Sequence, residues 1–395
     1  MEIYKINQIS LNQPKTQLSL CYNHGIRTYQ INDYSLKTSS NSSEVILGEI
    51  SVASLLYELN IIVFTGSEHN EKYSNKKLVV YDLTKHKEIY YTLFKDPITD
   101  IKSISKYIFI TSSNQLSIFS YSDLSSISLI RTLTFANKTM FNYQLWTNQS
   151  EKQNVGKIYL LMLSERDNNI NIFSYFDNEF EHEQTSNLVS SYKTIQNFFY
   201  DEMYKLLFIV EGNGQLFTSY SSDKYEKVAE YYRGKNIGVI TSICGINNNY
   251  IAAANLDKTI HIFSVTNQNK NNITTFLYNF FNPQSISSSL KIRFSELIQE
   301  NENDFYSDYF KKKGSVLVFA KETNSLNVIC YNGFAYVIKI NYNRLTYDIT
   351  ERKNIIQENL DNMGASIEIG TSGLHLYTIN KLETKEKLKD SWKII

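Results

Sequence analysis

Short apolar runs separated by polar turns repeat along most of the chain. Their length is that of β-strands, and they are rich in Ile, Val, Tyr, Phe and Thr, which favour pleated sheets. The runs come in pairs joined by a polar turn, which predicts a series of hairpins. The clearest pairs are Ile61–Thr65 with Val79–Asp82, Ile108–Thr111 with Leu116–Ser120, Ile158–Leu163 with Ile170–Ser174, Ile251–Ala254 with Thr259–Val265, and Val328–Cys330 with Phe334–Ile340.

The hairpins recur about every 40–60 residues, which is typical of a β-propeller with four-stranded blades. The predicted fold class is all-β: a seven-bladed β-propeller with degenerate WD-like repeats over residues 1–350, followed by a C-terminal extension over residues 351–395. No repeat carries the G-H…W-D signature, and a pair of large β-sandwiches is the competing interpretation. Short helices are expected at Glu351–Asn362 and Leu382–Lys393.

Charge and motifs narrow the function classes. The chain of 395 residues has 40 Lys and Arg against 40 Asp and Glu. A neutral chain is poorly suited to coat nucleic acid through counterion release, so no nucleic acid partner is expected. The sequence contains no G-x-S-x-G, P-loop or H-E-x-x-H motif. We therefore expect neither enzymatic activity nor a cofactor.

The cysteines and the hydropathy of the sequence indicate the cellular compartment in which the protein is expected. Cys21, Cys244 and Cys330 are far apart and form no CxxC pair, which argues against disulfides and metal sites and fits a reducing compartment. The longest purely apolar run, Ile158–Leu163, is far shorter than the ~20 residues that span a bilayer. The N-terminal residues show no signal-peptide pattern. The protein is expected to be soluble and cytoplasmic.

Several segments share their motifs, order and spacing with one known family. Tyr231–Val265 (YYRGKNIGVITSICGINNNYIAAANLDKTIHIFSV) contains an Arg-Gly pair followed by a hairpin that ends in TIHIF. Gly25–Tyr29, Thr65–Asp82, Leu116–Leu124 and Leu317–Ile340 match other blades of the same family. Over roughly residues 15–345 the chain resembles the PROPPINs, the phosphoinositide-binding propellers that include the WIPI proteins.

The resemblance implies two lipid pockets, each served by one arginine of a Phe-Arg-Arg-Gly motif at the end of blade five. Here the motif reads Tyr231-Tyr232-Arg233-Gly234, so only the second arginine is present. The pocket between blades four and five is expected to be lost, because residues 211–219 (EGNGQLFTS) also replace a basic hairpin rich in hydroxyls.

The second implied pocket, between blades five and six, is better preserved. Its predicted phosphoinositide-binding residues are Arg233, Gly234, Asn255, Thr259 and His261. A guanidinium meets two phosphate oxygens in a fork that lysine cannot reproduce, and an imidazole adds a second cation when protonated. Thr259 and His261 are two residues apart on one strand, so they project to the same face. The alternative is a solvated Arg233 at a strand end and a His261 within an ordinary hydrogen-bond network.

The resemblance also implies a long blade-six loop, residues 266–292, that enters the bilayer interface. From Lys258 to Ser295 the sequence contains no Asp or Glu, and an aromatic run in a basic segment suits an anionic membrane surface. The predicted membrane-contacting residues are Phe276, Leu277, Tyr278, Phe280 and Phe281. The alternative is that this run forms an inner strand or packs against a neighbouring blade.

The resemblance further implies a partner surface on blades two and three. Its counterpart here is the loop His69–Lys77, in which Ser74 and Asn75 stand where the family has prolines. The candidate contact residues are His69, Asn70, Lys72 and Lys76.

The function implied is that of a monomeric effector of phosphatidylinositol 3-phosphate or 3,5-bisphosphate. It would dock on the cytosolic face of preautophagosomal, endosomal or vacuolar membranes and recruit an autophagy lipid-transfer protein or other trafficking proteins. The alternative function is a protein-interaction scaffold on the same fold that has lost lipid binding, and Tyr232 favours this second hypothesis.

Overall fold

The computed structural model describes most of the chain. It covers residues 5–31, 48–134, 143–147, 157–265, 286–293, 314–355 and 365–378, with gaps at 57–58, 122–125, 165–168, 177–178, 187–194, 235, 248, 257–258, 332 and 371–372. All regular elements in these ranges are β-strands. The predicted all-β fold is confirmed.

The strands form consecutive antiparallel sheets, which are the blades of a seven-bladed propeller. In chain order the first four blades are β1 (Ile6–Leu11), β2 (Gln17–Tyr22), β3 (Gly25–Gln30); β4 (Ile50–Leu55), β5 (Ile61–Gly66), β6 (Lys77–Asp82), β7 (Lys87–Leu93); β8 (Ile98–Ile104), β9 (Tyr107–Ser112), β10 (Gln115–Tyr121), β11 (Ile127–Thr134); and β12 (Tyr143–Thr147), β13 (Ile158–Ser164), β14 (Asn169–Phe176), β15 (Glu179–Ser186).

The remaining blades carry the site. Blade five contains β16 (Ile195–Asp201), β17 (Leu206–Glu211), β18 (Leu216–Ser221), β19 (Lys227–Tyr232) and, paired with β19 in parallel, β23 (Ile286–Ser287). Blade six contains β20 (Ile240–Ile246), β21 (Tyr250–Asn255), β22 (Thr259–Ser264) and β24 (Leu290–Arg293). Blade seven contains β25 (Ser315–Ala320), β26 (Ser325–Cys330), β27 (Phe334–Asn341) and β28 (Thr346–Asn354), and a hairpin of β29 (Ala365–Gly370) and β30 (Gly373–Thr378) follows.

The five hairpins read from the sequence are the middle two strands of blades two, three, four, six and seven. Ile108–Thr111 lies within β9 and Leu116–Ser120 within β10, for example, and the register pairs Ser112 with Gln115 across the turn. Ser113, in this turn, adopts a φ of 51°, the left-handed conformation that a tight hairpin requires. Local alternation and turn chemistry therefore specify the centre of these blades.

The hydrophobic core lies between neighbouring blades. Side chains alternate between the two faces of a strand, so β22 contributes to two clusters. Ile260 and Ile262 pack with residues of blade seven. Phe263 packs toward blade five, with ring centroids 5.2 Å from Phe217 and 5.6 Å from Tyr231. The even-numbered residues of β22 therefore face blade seven, and its odd-numbered residues face blade five.

The first strands of several blades surround a central cavity of about 390 Å3. Lys102 of β8 lines it, 3.7 Å from the carboxylate of Asp100, and burial lowers the pKa of this lysine below its ordinary value. The cleft described below lies at the periphery of blades five and six, away from this cavity.

The end of the propeller differs from the sequence prediction. The helix expected at Glu351–Asn362 is wrong over residues 351–354, which belong to β28 and pair with β27. Ladder hydrogen bonds to a neighbouring strand outweigh the helix propensity of the charged residues there. Ile355 is 1 % exposed and packs between blades seven and one, so the propeller extends beyond residue 350. The expected helix at Leu382–Lys393 lies outside the described residues.

The three cysteines are buried free thiols. Burial raises the pKa of Cys244 to about 12 and raises that of Cys330 as well. In the part of the chain that the structure describes, no helix is long and apolar enough to cross a membrane. The same residues contain no cluster of His, Cys, Asp and Glu suited to a metal ion.

Candidate phosphate-binding cleft between blades five and six

Arg233 continues the outer strand of blade five into this cleft. Its backbone N–H donates to the carbonyl of Gln215 at 2.8 Å, which extends the β18–β19 ladder past Tyr232. Its side chain is 6 % exposed. Nε donates to the carbonyl of Gly214 at 3.0 Å, and Nη2 donates to the carbonyl of Asn236. These two bonds fix the plane of the guanidinium.

The direction of Arg233 follows from strand alternation. Tyr231 is fully buried and contacts Phe217 and, across the cleft, Phe263 of blade six. Arg233 is two residues further along and therefore lies on the same side. Tyr232 lies on the opposite side, toward blade four. Arg233, at the second arginine position of the motif, thus lies on the side of blade five that faces blade six.

The side chains of Asn255 and Arg233 both lie close to Gly238. A Cβ built on Gly238 would lie 2.7 Å from Nδ2 and 2.7 Å from Oδ1 of Asn255, and 2.9 Å from Nη2 of Arg233. Asn255 is 1 % exposed, and neither of its amide atoms has a hydrogen-bond partner among the described residues. An unsatisfied buried polar group costs about 1–3 kcal/mol. Two polar side chains from different blades therefore converge on a space that only a glycine leaves open.

Thr259 and His261 line the blade-six side of the same cleft. In the β21–β22 hairpin, Thr259 pairs with Asn255 and His261 with Ala253. Both side chains are buried, at 7 % and 3 % exposure. They share the face of β22 that carries Phe263, which packs on blade five. The structure thus places Arg233, Asn255, Thr259 and His261 on the walls of one cleft.

Gly234 has a conformational role. Its φ of +133° lies in the region that L side chains rarely adopt, while a Cβ there would meet nothing within 4 Å. The glycine is required for the backbone turn that follows Arg233 rather than for space.

The cleft between blades four and five has the opposite electrostatics. Glu211, 9 % exposed, accepts a hydrogen bond from Thr218 at 3.5 Å. Burial and, next, the charge of Glu211 raise the pKa of Tyr220 to about 12. Tyr232 occupies the position of the missing arginine. A buried carboxylate repels a phosphate, so this cleft opposes the ligand that the resemblance assigned to it.

The loop predicted as a partner surface divides into exposed and buried residues. His69, Lys72 and Lys76 are exposed. Asn70 is 8 % exposed, donates to the carbonyl of Glu49 at 3.0 Å and accepts from the backbone N–H of Lys72 at 3.0 Å. Asn70 therefore stabilises the loop from within, and its predicted place on a contact surface is not supported by its position.

The aromatic run Phe276, Leu277, Tyr278, Phe280 and Phe281 lies outside the described residues. Both ends of its loop are described. The chain leaves β22 after Ser264. Thr259, at the other end of this strand, is about 16 Å away from Ser264 along the strand. It returns at Ile286 and Ser287, which pair with Tyr231 and Tyr232. The return of the loop, rather than its start, thus lies beside the residues that lead to Arg233.

Sequence reasoning missed two features of this cleft. The role of Gly238 cannot be predicted from a single sequence. It depends on the packing of Arg233 and Asn255 around this residue, which only the structure shows. The pairing of β24 with β22 was also missed, because a long insertion separates them. On the sequence alone, Lys291 and Arg293 of β24 belong only to a basic segment without acidic residues.

Comparisons with known proteins agree with this architecture. No family model matches the chain. SVP1-like protein 2 of Schizosaccharomyces pombe is 24 % identical over 272 residues, which are 66 % of this chain and 68 % of the relative. Kluyveromyces lactis Hsv2 has a TM-score of 0.64 at 16 % identity, covering 89 % of this chain and 99 % of that structure. KlAtg21, solved in complex with a coiled coil of AgAtg16, has a TM-score of 0.61 at 18 % identity, with 88 % and 99 % coverage.

These structures are β-propellers of the PROPPIN family. The chain therefore has the seven-bladed propeller fold that was predicted, and the resemblance to PROPPINs drawn from its motifs is confirmed.

Proposed function

We propose that the chain is a non-enzymatic phosphoinositide effector of the PROPPIN type. It binds the phosphorylated inositol headgroup of phosphatidylinositol 3-phosphate or 3,5-bisphosphate in the cleft between blades five and six. The observation that carries the proposal is the convergence of Arg233 and Asn255 beside Gly238. Arg233, Asn255, Thr259 and His261 provide the binding groups, and Gly234 provides the turn.

The chemistry of these four side chains suits a phosphomonoester. Two backbone carbonyls hold the guanidinium of Arg233 in place, so little rotamer freedom is lost when an anion binds. The buried amide of Asn255 gains a partner when a phosphate oxygen accepts from Nδ2. The hydroxyl of Thr259 is a further donor, and His261 adds positive charge when protonated.

Membrane docking is proposed to use the blade-six loop as a second contact. The loop predicted over residues 266–292 can extend no further than residue 285, because Ile286–Ser287 and Leu290–Arg293 are strands of blades five and six. Its aromatic run would enter the interface, and Lys270 would add attraction to an anionic leaflet. The pairing of Ile286–Ser287 with Tyr231–Tyr232 supports this proposal, because it anchors the returning end of the loop at the cleft. A headgroup in the cleft and side chains in the bilayer would then act together.

The proposed setting is preautophagosomal, endosomal or vacuolar membranes, where the protein recruits an autophagy lipid-transfer protein or other trafficking proteins. The fold similarity to KlAtg21, whose structure holds a coiled coil of AgAtg16, supports a recruiting role. On blade two, the exposed His69, Lys72 and Lys76 are the proposed contacts. A monomer carrying one lipid site and one partner surface suffices for this role.

A scaffold without lipid binding is the second candidate function. Tyr232 and the buried Glu211 favour it, because they remove one of two pockets. Loss of simultaneous binding at two sites removes an avidity gain that reaches ~10²–10⁴. Co-sedimentation of the chain with phosphoinositide vesicles separates the two candidates.

One headgroup is expected to bind per chain. Arg233 provides a guanidinium on one side of blade five, whereas Tyr232 and Glu211 occupy the other side. Calorimetric titration with a soluble, phosphorylated inositol headgroup measures the stoichiometry. Two equivalent sites per chain would refute the single-pocket proposal.

Gly238→Ala is expected to weaken headgroup binding about tenfold or more, which corresponds to ~1.4 kcal/mol or more. The added methyl group would occupy the point within 3 Å of both Arg233 and Asn255, and the backbone of Gly238 has no positive φ that would itself forbid alanine. Thermal melting is the control, because it shows whether the Gly238→Ala protein is folded. Unchanged headgroup affinity in folded Gly238→Ala protein would show that the ligand does not use this space.

A further inference from the structure

The outer strand of blade six carries two basic side chains beside the cleft. In the β22–β24 ladder, Lys291 lies opposite His261 and Arg293 lies opposite Thr259. Directly opposed residues project to the same face of an antiparallel sheet, with Cβ atoms ~4.5–5.5 Å apart. The intervening Ile292 is fully buried in the cluster shared with blade seven. Lys291 and Arg293 therefore lie on the face directed toward blade five.

These two cations differ from the inner residues in exposure. Thr259 and His261 are buried, whereas Lys291 and Arg293 are exposed. The cleft thus has buried donors in its interior and two long cationic side chains at its rim. A phosphate bound beside Thr259 would therefore lie near Arg293, the residue opposite Thr259 in the ladder.

The backbone that holds the two cations is fixed at both blades. Ile286 and Ser287 pair with Tyr231 and Tyr232 of blade five. The backbone N–H of Ser289 then donates to the carbonyl of Ile262 in blade six at 2.8 Å. The segment crosses the outer side of the cleft and enters β24 in a defined register. Lys291 and Arg293 are therefore held beside the cleft rather than on a free loop.

We propose that Lys291 and Arg293 bind the second ring phosphate of a doubly phosphorylated inositol headgroup. The inference rests on the proposed function and specifies its ligand: the 3,5-bisphosphate rather than the 3-monophosphate. The first phosphate meets Arg233, Asn255 and Thr259. The second phosphate is a separate anion on the same ring, and a guanidinium with an ammonium beside it supplies the charge and the fork that it requires.

The test compares Lys291→Gln/Arg293→Gln with wild-type protein in calorimetry. The probes are soluble inositol headgroups that carry a ring phosphate at position 3 alone or at positions 3 and 5. Wild-type protein is expected to bind the second probe more tightly. In the double variant the affinity for that probe should fall about ten- to a hundredfold, while affinity for the first probe changes less than about threefold.

Lys87→Gln/Arg131→Gln is the matched control, because it removes two exposed cations from the outer strands of blades two and three. It should leave both affinities unchanged. Vesicles of phosphatidylcholine and phosphatidylserine without phosphoinositide measure attraction to a charged surface alone, and here the two double variants should behave alike.

Equal losses for the two headgroups, no loss for either, or the same loss in the control variant would overturn this inference alone. The proposed function would still hold in those cases, because wild-type protein would bind the headgroups. Failure of wild-type protein to bind either headgroup would overturn the proposed function together with the inference.

Discussion

Replacing Arg233 with alanine is expected to reduce headgroup affinity about ten- to a hundredfold. The substitution removes a charge-assisted pair with the phosphate worth ~1.5–3 kcal/mol. Arg233→Lys should restore part of this loss, because lysine keeps the charge but lacks the planar fork. Calorimetry with the soluble headgroup and vesicle co-sedimentation both measure the effect.

Tyr232→Ala is the matched control for this experiment. Tyr232 is the neighbouring residue on the same backbone, but it lies on the side of blade five that faces blade four, so headgroup affinity should remain unchanged. Arg233 also donates to the carbonyls of Gly214 and Asn236, and thermal melting must therefore show that the alanine variant is folded. If a folded Arg233→Ala protein binds the headgroup as well as wild type does, the headgroup does not bind in this cleft.

Replacing Phe276, Leu277, Phe280 and Phe281 with serine is expected to abolish vesicle binding while headgroup binding persists. Full burial of one such side chain gains ~1.5–3 kcal/mol, so half-burial of four in the interface adds several kcal/mol. The thermal midpoint should barely move, because these side chains would contact lipid rather than the core. Co-sedimentation, headgroup calorimetry and thermal melting of the same preparation measure the three effects.

Exposed apolar residues elsewhere provide the control for the loop variant. Tyr91, Leu93, Leu129 and Val228 are between 50 % and 70 % exposed on other outer strands, and their replacement with serine should leave vesicle binding intact. If the loop variant instead melts much earlier than wild type, the aromatic run belongs to the core and the membrane-contact proposal fails.

The middle hairpin of each blade is the part of the fold that sequence specifies most directly. In β9 and β10, for example, apolar alternation and a short turn lie within a few residues of each other, so local rules suffice. Residues 351–354 show where local rules fail. Their charged side chains suit a short helix, but β27 offers ladder hydrogen bonds that only the assembled sheet provides.

The site divides in the same way. Arg233, Thr259 and His261 were found from a motif and from period-two spacing on one strand. The convergence of Asn255 with Arg233 at Gly238 depends on how the linker between two blades folds back, which no local pattern encodes. The register that brings Arg293 opposite Thr259 spans a long insertion, so on the sequence alone Arg293 belongs only to a basic segment without acidic residues.

Co-sedimentation of the full chain with vesicles tests the central claim most directly. The vesicles contain phosphatidylcholine with phosphatidylinositol 3-phosphate or 3,5-bisphosphate, and matched vesicles contain unphosphorylated phosphatidylinositol. Our account predicts that wild-type protein pellets with the phosphorylated lipids and not with the unphosphorylated one, and that folded Arg233→Ala protein stays in the supernatant. Wild-type protein that remains soluble with every lipid, or an Arg233→Ala variant that pellets like wild type, would contradict it.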